Sequence, residues 1–357
     1  ALAQWSEKND IDVLWSIRNW LPMWLPLRAR LRIHFSPDAF DQAFLWRAFE
    51  ISVTIQGRSL LFPMLPGRLF YDSTDFFFTL GNWQRDTFVE RLKMPRERIF
   101  VTANGVFLEN FSPLPLKRRG NDIMYSSAPF RGLTHLADYF PAIRARSLQT
   151  QLNTFSSMTT YGAGAGEDRA RFEELYARLR ATEGVNLIGS VQQKRLAEEM
   201  CRHRVFTYPN TFIETFCISV LEAQAAGLPV VTSRRAALAE RITHGEDGFL
   251  IDGEPHEETY RRQFIETTCA LLTDDALWQR ISDNAVRTAA RYTYENIAGQ
   301  WQEFFRQELE GRKSRLPRLP QLTDMRVPST TDPSVVIPIT AARQQALLRE
   351  AFKMYGF

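Results

Sequence analysis

The amino-acid sequence predicts an α/β fold built from two domains. Its 357 residues are enough for two domains, and 44% hydrophobic with 24% charged residues is typical of a soluble globular protein. Apolar runs of strand length recur along the chain and are separated by segments of helical length. The composition shows no sign of a disordered chain.

Charge and cysteine content narrow the range of functions. A net charge of +3 and a pI near 8.8 favour anionic ligands or an anionic membrane surface, but fall far short of a nucleic-acid-binding profile, which we exclude. The three cysteines are odd in number and lack metal-ligand spacing, which indicates a reducing compartment. Because no run is apolar enough to cross a membrane and no signal peptide is evident, we expect a cytoplasmic protein and leave peripheral contact with the inner face of the membrane open.

Two features near the start of the chain could act outside a core. Asp10 and Asp12 have the D-x-D spacing of a divalent metal site in another transferase fold, but they adjoin a strand-like run, which favours a solvated loop. Trp15, Trp20 and Trp24 lie near arginines and could form a patch that enters lipid headgroups. Prolines interrupt any helix there, so we favour core and loop positions for the three tryptophans.

The stretch Tyr208–Ser233 is predicted to form a loop, a helix and a strand. Tyr208–Asn210 has turn chemistry, and Cys217–Ala226 has helical length. Gly227 and the following proline end the helix, and two valines open an apolar strand. The start of the helix is therefore expected to lie exposed after a strand.

This stretch carries two carboxylates in different settings. Glu222 lies in an apolar helix and needs a specific polar partner, whereas Glu214 lies in the loop before the helix. The unpaired N–H groups of the first helical turn form a ready anion site, and an anion between two carboxylates suggests a phosphate ester with hydroxyl groups. The residues alone leave open an ordinary buried helix whose glutamate pairs with a neighbouring arginine or lysine.

The order of these residues resembles the signature of the retaining nucleotide-sugar glycosyltransferases of the GT-B fold, family 4, or glycosyl transferases group 1. The likeness extends from about Asp72 to Phe305 and implies two Rossmann-like domains that face a cleft. The matching positions are Glu214, Glu222, Ala223, Ala226-Gly227, Pro229-Val230-Val231 and Glu240.

The resemblance assigns roles to several of these residues. It implies that Glu214 approaches the hydroxyls of the donor sugar and that Glu222 holds the ribose hydroxyls. The backbone amides of Phe216, Cys217 and Ile218 would cover the sugar and the pyrophosphate. Cys217 could also carry an acidic thiol at the helix start, although we favour a small side chain that fits a tight turn.

Further donor contacts follow from the loops before this stretch. Arg131, followed by glycine, matches the second of two cations that neutralise the donor diphosphate in the family, but Ser126 stands where the first, an arginine, usually lies. Gly189 and Ser190 occupy a strand end where relatives contact the nucleotide base. Relatives also have a glycine near the donor sugar at the position of Ala236.

His34 and Asp38 follow an apolar strand of the first domain, where α/β proteins place groups that face ligands. Members of the family often carry a histidine or aspartate here that faces the donor sugar or the acceptor. A lone histidine more often serves structure, so both assignments remain open.

The resemblance also suggests the domain limits. The first domain is expected to be incomplete at its N-terminus, through truncation or divergence, because the usual first strand and glycine-rich loop are missing. A proline-rich basic linker with solvated charges spans 112–121, Asp274 is expected to cap a helix, and a short tail helix is expected at 341–354. The limits are 1–115 for the acceptor-side domain, 121–293 for the donor-binding domain, 294–310 for a helix crossing back, and 311–357 for a tail.

The predicted function is therefore that of a hexosyltransferase-type glycosyltransferase (EC 2.4) that retains the anomeric configuration. The donor is expected to be UDP- or GDP-linked, with no cofactor or metal, and the acceptor a glycan, a lipid-linked molecule or a small molecule. The alternative is a catalytically impaired nucleotide-sugar-binding partner of another transferase. Ser126 and the short first domain favour the alternative, whereas Glu214 and Glu222 oppose it.

Overall fold

The computed structural model describes residues 8–18, 21–25, 27–39, 50–55, 58–63, 73–92, 94–159, 162, 164–317, 326–328 and 336–338. The chain divides into two compact units, one formed by Ala1–Thr102 with Gln300–Phe357 and the other by Ala103–Gly299. Trp20 and the predicted helix at 341–354 lie outside the described residues.

The first unit contains a four-stranded parallel sheet of order β1-β2-β5-β6. Helix α1 (Asn82–Leu92) connects β5 to β6, as expected for a parallel crossover. Two short antiparallel pairs, β3 with β4 and β13 with β14, also belong to this unit. The strands are β1 (Ile11–Ile17), β2 (Ala29–Phe35), β3 (Glu50–Ile55), β4 (Arg58–Pro63), β5 (Phe76–Thr79), β6 (Ile99–Val101), and later β13 (Arg326–Pro328) and β14 (Val336–Pro338).

An aromatic cluster fills the core of the first unit. Leu31, Ile33 and Phe78 are fully buried at its centre. Trp15 of β1 packs against Phe78 with ring centroids 5.0 Å apart, and against Trp301 at the same distance. Trp15 therefore belongs to the core, as favoured from the sequence; the side chain of Trp24 is not described.

Asp12 is the second residue of β1 and not part of a loop, which corrects the sequence expectation. Its carboxylate pairs with Arg30 on the neighbouring strand at 2.7 Å. Among the described residues, no three histidine, cysteine, aspartate or glutamate side chains are grouped to hold a metal ion.

The second unit contains a six-stranded parallel sheet of order β12-β11-β10-β7-β8-β9. Every residue of β7 and β10 is buried, as expected for central strands covered by helices on both faces. The strands are β7 (Ile123–Tyr125), β8 (Leu152–Thr154), β9 (Val185–Leu187), β10 (Val205–Tyr208), β11 (Val230–Ser233) and β12 (Phe249–Ile251). The helices are α2 (Leu133–Arg146), α3 (Ala165–Ala181), α4 (Gln193–Arg202), α5 (Ile218–Ala225), α6 (Leu238–Arg241), α7 (Glu258–Thr273) and α8 (Asp275–Ala289). Helix α9 (Tyr294–Leu309) contains the boundary, since this unit ends at Gly299 and Gln300 belongs to the first unit.

The strand order reverses direction between β7 and β10. The chain leaves β7 for β8 and β9 on one side, and then crosses to β10 on the other side of β7. The loops that follow β7 and β10 therefore start from neighbouring strands at the carboxyl edge of the sheet. Ligands of open α/β sheets bind at such a switch point.

The linker predicted at 112–121 is packed into the second unit, and the prediction of solvated charges is wrong for Arg119. Its guanidinium is buried and donates to the carbonyl oxygens of Leu114, Met200, His203 and Ala226. Burial lowers the pKa of Arg119 to about 10. Among the described residues this buried cation has four carbonyl acceptors and no acidic partner, a solution that spacing along the sequence does not show.

Local geometry confirms the predicted helix cap. Asp274 caps α8, since its side chain accepts from the Leu277 amide at 2.9 Å. Within the described part of the chain, no helix has both the length and the apolar character that crossing a bilayer requires.

Candidate functional site

The loops after β7 and β10 touch at the switch point of the second sheet. Gly132 ends the first loop with φ +120°, and a Cβ atom there would lie 2.0 Å from the carbonyl oxygen of Pro209. The hydroxyl of Thr211 donates to the carbonyl oxygen of Phe130 across the same contact, at 3.3 Å. Only glycine allows this approach, and it brings Arg131 next to the loop that carries Glu214.

Glu214 is held by side chains from both loops. Its side chain is 8% exposed, and Oε1 accepts from the Tyr208 hydroxyl at 2.6 Å and from Nη1 of Arg131 at 2.9 Å. Its backbone carbonyl accepts from the Ala237 amide at 3.1 Å. The glutamate in the loop therefore has a fixed orientation.

The guanidinium of Arg131 pairs with Glu214 and also contacts two aromatic rings. Its guanidinium carbon is 4.0 Å from the ring centroid of Phe212 and 5.6 Å from that of Phe130. Its side chain is 18% exposed, so the positive charge is only partly open to solvent. The arrangement holds a partly desolvated cation at the position predicted to meet a diphosphate.

Helix α5 begins one residue later than predicted, at Ile218, because Cys217 has a left-handed backbone with φ +71°. Among the residues that the structure describes, no side-chain hydrogen bond caps this helix start. The side chain of Phe216 is buried and that of Ile218 is 46% exposed. The first amides of α5 therefore follow a sharp turn at the carboxyl edge of the sheet, as an anion site requires.

The acidic thiol considered for Cys217 is not supported. Burial raises the pKa of Cys217 well above its usual range, and the nearby Glu214 carboxylate adds to the rise. Cys201, Cys217 and Cys269 are all free thiols. Cys217 is a small buried side chain in a tight turn, the reading favoured from the sequence.

Arg241 packs against this turn and hydrogen-bonds to the helix that follows it. Its guanidinium carbon lies 4.5 Å from the ring centroid of Phe216 and 4.1 Å from that of Tyr292. It also donates to Oε1 of Gln224 on α5 at 3.1 Å. Burial lowers the pKa of Arg241, which nonetheless stays a cation and joins the turn to the helix.

Glu222 has a specific polar partner, as the sequence predicted, and this partner is an amide and not the arginine or lysine of the alternative. Nε2 of Gln193, at the start of α4, donates to its Oε1 at 2.5 Å. No arginine or lysine among the described residues forms a salt bridge with Glu222. Burial raises the pKa of Glu222 to about 7, and the Gln193 hydrogen bond opposes that rise.

The remaining donor-side positions lie along the same sheet edge. Ser126 is buried directly after β7. Gly189 follows β9 with φ +79°, open space lies where a Cβ would point, and Ser190 is exposed. The structure thus gathers Arg131, Glu214, Ser126 and the start of α5 around the switch point, with Gly189 and Ser190 two strands away.

His34 and Asp38 belong to the first unit. His34 is fully buried, its Nδ1 lies 2.9 Å from Oγ of Ser16, and burial lowers its pKa to about 3, so the ring is neutral. Asp38 accepts two hydrogen bonds from the guanidinium of Arg18, at 2.8 and 3.3 Å. Burial raises the pKa of Asp38, and the Arg18 cation opposes that rise. Their roles toward a sugar or acceptor stay predictions.

Three residues of the site had no role in the sequence analysis: Tyr208, Gln193 and Arg241. Tyr208 was predicted to lie where a strand from Val205 meets a turn, with no contact to the site, and it is the last residue of β10. Because β10 is buried on both faces, polar and apolar residues do not alternate and nothing indicates which way Tyr208 points. Gln193 and Arg241 act through contacts that are distant in sequence.

Comparison with known proteins links the second unit to one family. Residues 123–274 match the family model described as Glycosyl transferases group 1. An exopolysaccharide phosphotransferase from Streptomyces coelicolor is 31% identical over 162 residues, 45% of this chain and 16% of that protein. A D-inositol 3-phosphate glycosyltransferase from Thermobispora bispora is 28% identical over 235 residues, 62% of this chain and 53% of that protein. The chain thus spans about half the length of this glycosyltransferase, and much less of the phosphotransferase.

Solved structures show the fold. The sucrose-phosphate synthase of Thermosynechococcus elongatus has a TM-score of 0.61 at 17% identity, covering 83% of this chain and 73% of that one. The Anabaena protein HepE in complex with UDP-glucose has a TM-score of 0.59 at 16% identity, covering 78% and 72%. The chain has the α/β fold of the GT-B glycosyltransferases, with parallel sheets in two Rossmann-like units. The family match itself covers residues 123–274, which is less than half of the chain.

Proposed function

We propose that this chain, whose second unit resembles the group 1 glycosyltransferases, transfers a hexosyl group from a nucleotide-sugar donor to an acceptor with retention at the anomeric carbon. The observation that carries the proposal is the meeting of Arg131, Glu214 and the start of α5 at the switch point of the second sheet. A cation, a carboxylate and free helix amides in one place suit a diphosphate linked to a sugar.

Each part of the donor has a matching group at this edge. The amides that open α5 and the guanidinium of Arg131 suit the diphosphate, and Glu222, one turn into α5, suits the ribose hydroxyls. Glu214 suits the hydroxyls of the sugar, and Gly189 with Ser190 suits the base. The donor is a UDP- or GDP-sugar, and the acceptor a glycan, a lipid-linked molecule or a small molecule.

Chemistry at such a site depends on stabilising the leaving diphosphate. In retaining transfer, the leaving diphosphate takes the proton of the incoming hydroxyl on the same face of the sugar. Positive charge fixed in advance lowers the barrier, and Arg131 with the helix start supplies that charge without a metal ion. Ser126 adds a hydroxyl and no charge, so Arg131 is the cation of this loop that we assign to the diphosphate.

The test is a panel of UDP- and GDP-sugars incubated with the full chain, with and without sugar and lipid-linked acceptors. We expect donor-dependent release of the nucleoside diphosphate that increases with an acceptor, and an α-linked first product from an α-linked donor by NMR. A β-linked product would refute retention. Binding of a nucleotide-sugar without release under any acceptor would instead favour the impaired partner of another transferase, which the missing cation at Ser126 also fits.

A further inference from the structure

The two carboxylate oxygens of Glu214 differ in their hydrogen bonds. Oε1 accepts from both Tyr208 and Arg131, which uses the two lone pairs of that oxygen. Oε2 accepts no hydrogen bond from the described residues. It is also not one of the fully buried side-chain atoms without a partner, so part of its surface is exposed. The capacity of this carboxylate to accept from a ligand therefore rests on Oε2.

The Tyr208 hydroxyl can donate in only one direction. Its oxygen lies 3.4 Å from Oγ of Ser127, which donates to it, so the phenolic proton remains for Glu214. The ring is fully buried, with the ring of Tyr125 at 5.8 Å and that of Phe206 at 6.2 Å between centroids. Burial also raises the pKa of Tyr208 well above its usual range, which keeps the proton in place.

We propose that Tyr208 is a positioning residue that fixes the Glu214 carboxylate so that Oε2 alone meets the hydroxyls of the donor sugar, and thereby sets which sugar is accepted. This inference rests on the proposed function. A rigid carboxylate with one open oxygen accepts hydroxyls from one direction, so an epimer with a displaced hydroxyl loses a charge-assisted hydrogen bond. Arg131 cannot do this alone, because a single bond from an arginine leaves the carboxylate free to rotate about it.

Tyr208→Phe removes the hydroxyl and keeps the buried ring. We expect the affinity for the nucleoside diphosphate to stay within twofold of the unaltered protein, because the hydroxyl is hydrogen-bonded to Glu214 and Ser127 and not, among the described residues, to Glu222 or the first amides of α5. The kcat for the preferred donor should fall at least tenfold. The ratio of kcat/KM between that donor and its C2 or C4 epimer should fall at least fivefold, a change that general loosening of the fold would not produce selectively.

Tyr139→Phe is the matched control. Tyr139 is also a buried tyrosine of the second unit, and its hydroxyl donates to the carbonyl oxygen of Pro255, away from Glu214. The control should lose stability to a similar extent and keep donor selectivity. Unchanged selectivity in Tyr208→Phe, or an equal loss in Tyr139→Phe, would overturn the inference.

Binding separates this inference from the proposed function. Calorimetry with the preferred nucleotide-sugar and its epimer gives a ratio of dissociation constants that needs no transfer. If the unaltered chain binds selectively but transfers nothing, the transferase proposal fails, and a ratio that collapses in Tyr208→Phe still supports the positioning role. If the unaltered chain binds no nucleotide-sugar, both are overturned.

Discussion

The two glutamates of the site have different hydrogen-bond partners. Glu214, in the loop before α5, is paired with a cation and a phenol, whereas Glu222, inside α5, is bonded among the described residues only to the amide of Gln193. Burial raises the pKa of Glu222 to about 7, and no charged partner among the described residues opposes that rise. Two residues of one type in one segment thus serve different purposes: a fixed ion pair and a carboxylate whose charge depends on pH near neutrality.

The largest effect should follow from breaking the ion pair. Arg131→Ala leaves the buried Glu214 with Tyr208 alone, so we expect a loss of about 3 kcal/mol in the free energy of unfolding. Nucleoside diphosphate affinity should fall at least tenfold, since the cation next to the diphosphate is lost. Denaturant unfolding and calorimetry measure the two quantities.

Arg180→Ala is the control for that change. Arg180 pairs with Glu173 on the surface, where both side chains are 50% exposed, so its removal should change stability by less than about 0.5 kcal/mol. Equal losses of stability in both variants would show that the Arg131 pair contributes no more than a surface ion pair. Arg131→Lys keeps the charge but not the planar donor, and should recover part of the affinity.

The second effect concerns Glu222. Glu222→Gln keeps an acceptor and removes the charge, so nucleoside diphosphate affinity should fall by about 1–3 kcal/mol at pH 8. Glu183→Gln, whose side chain is 86% exposed in a surface pair, is the matched control and should bind normally. Normal binding by Glu222→Gln would remove Glu222 from the ribose site.

The raised pKa of Glu222 also gives a pH dependence with a definite sign. Below pH 7 the carboxylate is largely protonated and accepts hydroxyls poorly, so affinity should rise as pH increases through about 7. The folded state holds this proton more tightly than the unfolded chain, so the Glu222 contribution to stability falls as pH rises from about 4.5 to 7. The phosphate itself titrates near pH 6, so the informative quantity is the difference from Glu222→Gln at each pH.

The comparison also shows what the sequence could and could not predict. The strands, the helix after Glu214 and the cap at Asp274 follow from local patterns, and the resemblance pointed to Arg131 and both glutamates. The partner of each glutamate comes from a distant element, Arg131 and Gln193, and no periodicity specifies such pairs. The buried Arg119 was predicted wrongly for the same reason, because its four acceptors come together only in the folded chain.

A third and smaller effect has the opposite sign. Glu214→Gln removes the negative charge that balances Arg131, so the guanidinium should attract a diphosphate more strongly. We expect nucleoside diphosphate affinity to increase by about threefold at low salt, with the gain decreasing at high salt. Turnover should fall in the same variant, because an amide binds sugar hydroxyls less strongly. A fall in nucleotide affinity would mean that Glu214 itself contacts the nucleotide.

The smallest effect tests the backbone that carries Glu214. Ala236 has φ +48°, a left-handed conformation that favours glycine, and the next amide, of Ala237, donates to the Glu214 carbonyl oxygen. Ala236→Gly should relieve this strain and, against the larger entropy of the unfolded chain, stabilise the fold by about 0.5 kcal/mol. Nucleoside diphosphate affinity should not change, since the α5 start and Glu222 are untouched. Ala239→Gly, in the short helix α6 that follows, should destabilise by about the same amount or more. Thermal unfolding of both variants measures the change in stability, and a loss of stability in Ala236→Gly would show that the left-handed turn is not strained. A change in nucleotide affinity would show that the Glu214 loop and the Glu222 helix are not independent.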